Sequence, residues 1–194
     1  LFGIKTAACG MIFFDDGSPA YITRRFDYKP DGTKYQIEDF ATLLGKSPER
    51  EGIDFKYNAS YADIAGIINK YVPAATVELI NFFRLVVFNY LFSFFDAHLK
   101  NFALMESEQG DYLLAPAYDL LCTAIHINDA SLALHNGLYE GDMEESSYLN
   151  YGIYTGQSFL VFAARIGVQE AIATKIITDG MKAVAPAIEF IDRS

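Results

Sequence analysis

The sequence contains no tryptophan and only two cysteines, and it has few basic residues for its length. The cysteines, Cys9 and Cys122, belong to no Cys-x-x-Cys pair. This argues against a disulfide framework or a zinc site, predicts a cytoplasmic location, and predicts that both are small buried residues. Aspartate and glutamate outnumber lysine and arginine by 25 to 15, for a formal charge of −10. So acidic a chain lacks the clustered cations that direct binding to a nucleic-acid backbone requires.

The sequence also lacks an uninterrupted apolar run long enough to cross a bilayer. Its most apolar stretch, residues 79–95, is near the lower length limit for a membrane span and contains Arg84. A charged side chain inside a span costs several kcal/mol on insertion scales. The stretch is therefore predicted to be a buried helix of a soluble domain that does not contact a membrane.

What the sequence does have is apolar bulk. Apolar residues make up 52% of the 194 residues and include 16 Phe and 13 Tyr. This is enough to fill the core of one domain of ordinary size, and it argues against disorder. The chain begins at Leu1 in the middle of an apolar pattern, so we expect it to be part of a longer protein.

Turn signals and apolar spacing predict an α+β fold. Two apolar runs, at 8–14 and 20–26, flank an Asp-Gly turn and predict a hairpin, and a second hairpin is predicted at 102–115. Helical spacing or capping signals mark segments 37–45, 60–72, 73–95 and 156 to the end, the last broken at Gly167, Gly180 and Pro186.

The second predicted hairpin brings three oxygen-bearing side chains together. A turn centred near Gln109 pairs positions whose numbers sum to about 218, so Asn101 lies opposite position 117 or 118 and close to Asp119. Asp96 lies five residues before Asn101, in the loop that leads to the same end of the hairpin. We therefore expect these three side chains to converge.

This set of side chains suits phosphoryl transfer. A carboxylate and an amide oxygen are hard ligands for Mg²⁺, and a second carboxylate held away from the metal can accept a hydroxyl proton. The step from Asp96 to Asn101 equals that of the kinase catalytic loop Asp-x-x-x-x-Asn. Each of these residues is also common in turns and caps, so purely structural roles are the alternative.

The motif D-A-H-L-K-N-F at 96–102, followed by P-A-Y-D at 116–119, resembles the signature of HipA-type kinases, the toxins of bacterial toxin–antitoxin pairs. R-F-D at 25–27 and E-D-F at 38–40 resemble the same family in the same order, so the resemblance covers roughly 20–136. It implies a mainly helical, protein-kinase-like C-terminal lobe at 28–194. Residues 1–27 would be a remnant of the N-terminal lobe and hinge.

The resemblance also implies a role for each matched residue. Asp96 would be the general base for a Ser or Thr hydroxyl, and Asn101 and Asp119 would hold Mg²⁺. The residues implied to contact ATP are Arg24, Arg25, Phe26, Asp27, His98, Lys100, Asn101 and Tyr118. Residues 24–26 would form the hinge strand against the adenine, with Asp27 near the ribose. His98 and Lys100 would lie along the phosphates.

The family further implies particular partners. These are a helix-turn-helix antitoxin and a protein substrate such as a tRNA synthetase. Glu144 and Glu145 stand where some relatives carry basic residues, so DNA is expected to be contacted only through the antitoxin. The glycine loop and ATP-orienting lysine of a kinase N-terminal lobe are missing from this sequence, so this chain alone is expected to transfer little phosphate.

Two other functions stay open at this point. Antibiotic kinases also use Asp-x-His-x-x-Asn, which residues 96–101 fit, so a small-molecule phosphotransferase is one alternative. The flanking R-F-D and P-A-Y-D elements favour the protein kinase. The other alternative is a lobe that binds a partner protein and performs no chemistry.

Overall fold

Two small antiparallel sheets accompany a helical body in the computed structural model, which describes residues 2–126 and 132–191. The first sheet pairs β1 (Cys9–Phe13) with β2 (Pro19–Thr23). The second has the order β3 (Ile37–Asp39), β4 (Ala103–Glu106) and β5 (Tyr112–Leu114). Both hairpins predicted from the sequence are therefore confirmed.

The helices make up most of the regular structure. In chain order, the α-helices of the described residues are α1 (Phe40–Leu43), α2 (Pro48–Glu51), α3 (Tyr61–Tyr71), α4 (Ala75–Leu91), α5 (Ser146–Tyr151), α6 (Gly156–Arg165) and α7 (Glu170–Ile191). Single 3-10 turns lie at Phe55–Tyr57, Leu99–Asn101, Thr123–Ile125 and Asp142–Glu144.

Helix α4 forms the centre of the core. Its residues Phe82, Phe83 and Val86 are fully buried, and it packs between α3 and α7. Across 2–126 and 132–191, no helix has the length and apolar content needed to span a bilayer. The prediction of a buried helix over the most apolar stretch is confirmed, although α4 ends at Leu91. The chain turns after it through Ser93, whose φ is 57°.

Helix α3 begins as its capping signature predicts. The Ser60 backbone N–H donates to the Asp63 carboxylate at 2.8 Å, and the Asp63 N–H donates to the Ser60 hydroxyl at 3.2 Å. The backbone N–H groups of Tyr61 and Ala62 donate to the carbonyls of Gly137 and Leu138, at 3.0 and 2.9 Å. A segment distant in sequence therefore completes the cap that the local motif begins.

The helix predicted from residue 37 begins later, at Phe40. Residues 37–39 instead form β3, in which Ile37 lies opposite Met105 of β4. The strand ends at Asp39, whose carboxylate accepts the Thr42 N–H at 2.9 Å and caps α1. Pairing with β4 outweighs the local helical spacing, because strand formation depends on the neighbouring strand more than on local preference.

The breaks predicted at Gly180 and Pro186 are wrong, whereas the break near Gly167 is confirmed. Helix α7 runs continuously through both positions and packs against α4 and α6. A Cβ atom on Gly180 would lie 2.8 Å from Leu91 Cδ1 and 2.9 Å from Phe2 Cζ. The glycine therefore allows a close approach to α4 and does not end the helix.

The prediction that both cysteines are buried is wrong for Cys9. Cys9 is exposed and Cys122 is half-buried. The reason is the position of Cys9 in β1: every residue of this strand is exposed, and nearly all of β2 is as well.

A buried carboxylate from the acidic segment 140–145 lies beside Gly137. Asp142 is 2% exposed and accepts the Leu138 N–H at 2.6 Å. Burial raises its pKa above the ordinary value for an aspartate. Gly137 has a φ of +59°, and a Cβ atom on it would lie 2.3 Å from the Tyr154 hydroxyl and 2.5 Å from both Asp142 carboxylate oxygens.

We expect Gly137→Ala to destabilise the protein far more than Gly152→Ala. Both glycines have positive φ, but a Cβ atom on Gly152 would meet no heavy atom within 4 Å. The control therefore carries only the backbone cost of about 1–2 kcal/mol. At Gly137, overpacking should add about 1–3 kcal/mol. Denaturant unfolding of both variants measures the difference, and equal losses of stability would contradict the packing described here.

Candidate active site

The β4–β5 hairpin has the register that the sequence predicts. Leu104 lies opposite Leu114, and Met105 opposite Leu113. This register places residues 101 and 119 at the same end of the ladder, where the Asn101 amide N–H donates to the Asp119 carboxylate at 2.7 Å. The predicted meeting of these two side chains is confirmed.

Both side chains are held by the backbone around them. Asn101 is 7% exposed and ends a 3-10 turn, and its amide oxygen accepts the His98 N–H at 3.1 Å. Asp119 has a φ of 55°, and among the described residues only Ser93 shares a positive φ with it outside glycine. Such a conformation costs energy for a residue with a Cβ atom, and it often occurs at functional sites.

Asp96 borders the same cleft, in the loop between α4 and the 3-10 turn. Asn101, Asp119 and Asp96 all line a cavity of about 30 Å³. One Asp96 carboxylate oxygen accepts the Tyr57 hydroxyl at 2.9 Å, and the Asp96 carbonyl accepts the His98 N–H at 2.9 Å. The structure therefore places the three residues that the sequence predicts to converge around one cavity.

The donor set of this cleft fits a hard cation by chemical type. An aspartate carboxylate and an asparagine amide are oxygen ligands of the kind that Mg²⁺ takes, and Mg²⁺ keeps several waters or phosphate oxygens besides. Among the described residues there is no group of three or more His, Cys, Asp and Glu suited to a metal. Two protein ligands are too few to enclose an ion. They suit an ion that also binds the phosphates of a substrate.

His98 is expected to lie along the phosphates, but its surroundings favour a neutral ring. It is 8% exposed and meets the Tyr57 ring edge-on, with ring centroids 5.3 Å apart. Burial lowers the pKa of the His98 imidazole, and nearby Lys56 lowers it further. Its Nδ1 atom is buried and has no hydrogen-bond partner among the described residues.

Lys100, also expected along the phosphates, forms an ion pair with Asp39. The Lys100 ammonium lies 2.6 Å from the Asp39 carboxylate, at the start of α1. Burial of Asp39 opposes its ionisation, but hydrogen bonds from Lys100 and Thr42 bring its pKa below the ordinary value. Asp39 belongs to the E-D-F motif at 38–40, for which the resemblance implies no role. The structure shows that it joins α1 to the loop of the candidate site.

The predicted hinge residues contact this hairpin through an aromatic pair. The Phe26 ring lies 5.7 Å from the Tyr118 ring, and the Tyr118 hydroxyl donates to the Lys100 carbonyl at 2.7 Å. Burial raises the pKa of Tyr118 well above its usual range, so the hydroxyl stays protonated as a donor.

The charged hinge residues differ in burial and in their hydrogen-bond partners. Asp27, expected near a ribose, is buried and receives two hydrogen bonds from Arg25, at 2.8 and 2.5 Å. These bonds hold the pKa of Asp27 below its ordinary value. Arg24 is exposed, and its backbone N–H donates to the Ala8 carbonyl at 2.8 Å. The hinge is thus joined to the first hairpin on one side and to the candidate site on the other.

Tyr57 is the residue of this site that the sequence does not indicate. It lies in a polar segment with no apolar period, and a lone tyrosine there carries no signal of its contact with Asp96, 39 positions away. Only the fold, which packs the 3-10 turn at 55–57 against the turn at 99–101, brings them together.

A comparison with protein families now adds to this geometry. The profile of the HipA-like C-terminal domain matches residues 1–188. This chain belongs to the HipA-like C-terminal domain family. The resemblance seen in the motifs is confirmed over nearly the whole chain.

Curated relatives are similar over part of their length. A Sinorhizobium fredii protein named "Putative kinase Y4dM" is 35% identical over 118 residues, which is 60% of this chain and 27% of that protein. A Haemophilus influenzae protein named "Putative kinase" is 28% identical over 169 residues, which is 82% of this chain and 49% of that protein. The chain therefore spans half or less of the length of these relatives.

Solved structures show the same fold. Shewanella oneidensis HipA, from a complex with HipB and operator DNA, matches 98% of this chain and 46% of its own, with a TM-score of 0.73 and 18% identity. The Helicobacter pylori proinflammatory kinase CtkA matches 97% of this chain and 82% of its own, with a TM-score of 0.51 and 14% identity. The predicted kinase-like α+β fold is confirmed.

We expect Tyr118→Phe to destabilise the protein by about 1 kcal/mol, the usual net value of one hydrogen bond, because the Lys100 carbonyl loses its donor. Tyr112→Phe is the matched control, since its hydroxyl donates at 2.9 Å to the exposed side chain of Gln36, just before β3. Its loss should stay below about 0.5 kcal/mol. Chemical denaturation of both variants tests this, and an equal loss would show that the Lys100 contact has no special weight.

Proposed function

We propose that the protein containing this chain is an ATP- and Mg²⁺-dependent kinase that phosphorylates Ser or Thr hydroxyls of another protein. The observation that carries the proposal is the cleft in which Asp96 accompanies the hydrogen-bonded Asn101–Asp119 pair. Family membership and relatives named as kinases support it.

The three residues divide two tasks in the proposed reaction, proton acceptance and metal binding. The substrate hydroxyl oxygen bonds to the γ-phosphorus of ATP, and the bond from that phosphorus to the β–γ bridging oxygen breaks. The hydroxyl proton passes to the Asp96 carboxylate, and ADP leaves. Asn101 and Asp119 would hold Mg²⁺, which supplies positive charge against the phosphates when it is bound.

The other residues implied to contact ATP keep their proposed roles, but Asp27 and Lys100 would have to exchange partners to contact it. Phe26 and Tyr118 pack together, which supports an apolar surface beside the adenine at the hinge. Asp27 and Lys100 already have partners in Arg25 and Asp39, so their contacts with ribose and phosphate would compete with these ion pairs.

The division into a hinge remnant at 1–27 and a lobe at 28–194 is also a proposal. The exposure of the β1–β2 hairpin supports it, because this hairpin shares little of the core that the helices build. The rest of the ATP site would come from a part of the protein outside these 194 residues. Tests of this function therefore require the full-length protein.

The proposed setting is a toxin–antitoxin pair with a helix-turn-helix antitoxin as partner. The solved HipA that shares this fold is in complex with HipB and operator DNA, which supports it. The net charge of −10 fits contact with DNA through the antitoxin and not through this chain. Two further predictions are that the substrate is a tRNA synthetase and that the protein is cytoplasmic.

We expect Asp96→Asn to lower the rate of phosphate transfer at least about 100-fold, because the general base is lost. The affinity for ATP should stay within about twofold, because the metal-binding pair is unchanged. Transfer of radiolabelled phosphate to lysate proteins measures the rate, and calorimetry measures ATP binding. Asp179→Asn, an exposed aspartate on α7, is the control and should retain the parent rate.

Three outcomes would count against this proposal. A retained rate in Asp96→Asn would exclude the general base. Labelling of an aminoglycoside with no labelled protein would favour the small-molecule phosphotransferase. If the parent protein transfers no phosphate but still captures a partner, the non-catalytic alternative is right.

We expect Asp119→Ala to abolish the dependence of ATP binding on Mg²⁺, because one of the two proposed metal ligands is removed. Calorimetric titration with ATP, with and without Mg²⁺, measures it. Asp111→Ala is the matched control, since Asp111 is exposed in the turn of the same hairpin. If ATP binding in Asp119→Ala still strengthens with Mg²⁺ as in the parent protein, the metal assignment is wrong.

A further inference from the structure

Asp96 borders a second and wider cavity, which we name the acceptor cavity. Its volume is about 410 Å³, and its lining includes Tyr57, Phe95, His135, Met143 and Tyr148. Within 2–126 and 132–191, Asp96 is the one residue that lines both this cavity and the cleft of Asn101 and Asp119. Asp96 therefore lies between the two cavities, and its carboxylate accepts the hydroxyl of Tyr57, which lines the wider one.

One wall of the acceptor cavity is fixed before any ligand arrives. The Tyr57 ring stacks on the His135 ring at 5.7 Å with an interplanar angle of 29°, and the His135 backbone N–H donates to the Tyr57 carbonyl at 2.9 Å. The His135 ring is held in turn by Asn58, at 2.9 Å. The Tyr57 hydroxyl then donates to Asp96, so the same wall orients the carboxylate. Such an arrangement lowers the entropic cost of placing a reactive group.

The lining also indicates what the acceptor cavity takes. The described residues of the lining include no lysine or arginine, so they lack the cations that would hold a second phosphate. Among the described residues its carboxylates are those of Asp54 and Asp96, which is few for a polycationic sugar. Phe95, Met143 and Tyr148 supply apolar surface suited to an apolar side chain.

We propose that the acceptor cavity binds a protein segment in which an apolar side chain adjoins the Ser or Thr that is phosphorylated. The inference rests on the kinase function proposed above and names its substrate class. The apolar side chain contacts Met143 and Tyr148 while the hydroxyl meets Asp96. Met143 is then a specificity residue, and Tyr57 is a positioning residue that acts through Asp96.

Kinetics on an array of Ser-centred peptides tests the substrate class. With full-length protein, we expect peptides with Leu, Met or Phe beside the serine to have a kcat/KM at least tenfold above those with Asp or Lys there. Met143→Lys should lower kcat/KM for the apolar peptides at least tenfold through the peptide KM, with the KM for ATP changed less than twofold. Met181→Lys, on an exposed methionine of α7, should change neither constant.

NMR of the methionine methyl groups tests binding without requiring turnover. The sequence has four methionines. Adding an apolar-flanked Ser peptide to the parent protein should shift the Met143 methyl signal and leave that of Met181 in place. This measurement does not depend on whether the Met143→Lys variant folds.

The two measurements separate the possible failures. If the peptide shifts the Met143 methyl signal but the protein transfers no phosphate, the cavity is a peptide site and the proposed kinase function is refuted. If the protein transfers phosphate without a shift of the Met143 methyl signal and without a preference for apolar neighbours, peptide binding in the acceptor cavity is refuted. The proposed kinase function then still holds. A Met143 shift with an aminoglycoside, but with no peptide, would refute the peptide class.

Discussion

The candidate site depends on one hydrogen bond, from the Asn101 amide to the Asp119 carboxylate. It joins two loops that leave the same end of the β4–β5 hairpin, so it exists only while that hairpin keeps its register. A shift by one residue would turn every side chain of a strand to the other face. The buried residues Ala103, Met105 and Ala115 on this hairpin resist such a shift. Core packing therefore fixes a polar contact that has little stability of its own.

The charged residues around this bond are already paired. Arg25 with Asp27 and Lys100 with Asp39 form ion pairs, and Asp96 receives the hydroxyl of Tyr57. The Lys100–Asp39 and Tyr57–Asp96 contacts join segments distant in sequence, so they hold α1 and the turn at 55–57 against the loop at 96–101. Arg25 and Asp27 lie two residues apart, so their ion pair orders the hinge itself. A nucleotide at this site would meet side chains whose positions are set before it binds, and it would compete with their present partners for charge.

Much of this arrangement can be read from the sequence, and the exceptions have a common cause. The register of β4–β5 follows from the position of its turn, and the start of α3 follows from Ser60 and Asp63, because both signals are local. The strand at residues 37–39 and the contact of Tyr57 with Asp96 are missed because each depends on a partner tens of residues away. The continuity of α7 through Gly180 is missed for the same reason, since the glycine serves contact with Leu91 and Phe2.

The β1–β2 hairpin bears on how this part of the protein behaves when handled by itself. Met11, Phe13 and Tyr21 are each at least 60% exposed, and the two strands pair only with each other within the described residues. Two-stranded sheets of this kind are marginal in water, and open apolar edges template pairing between molecules. Preparations of these 194 residues alone would thus tend to self-associate through strand addition, with the thiol of Cys9 at the same edge open to air oxidation.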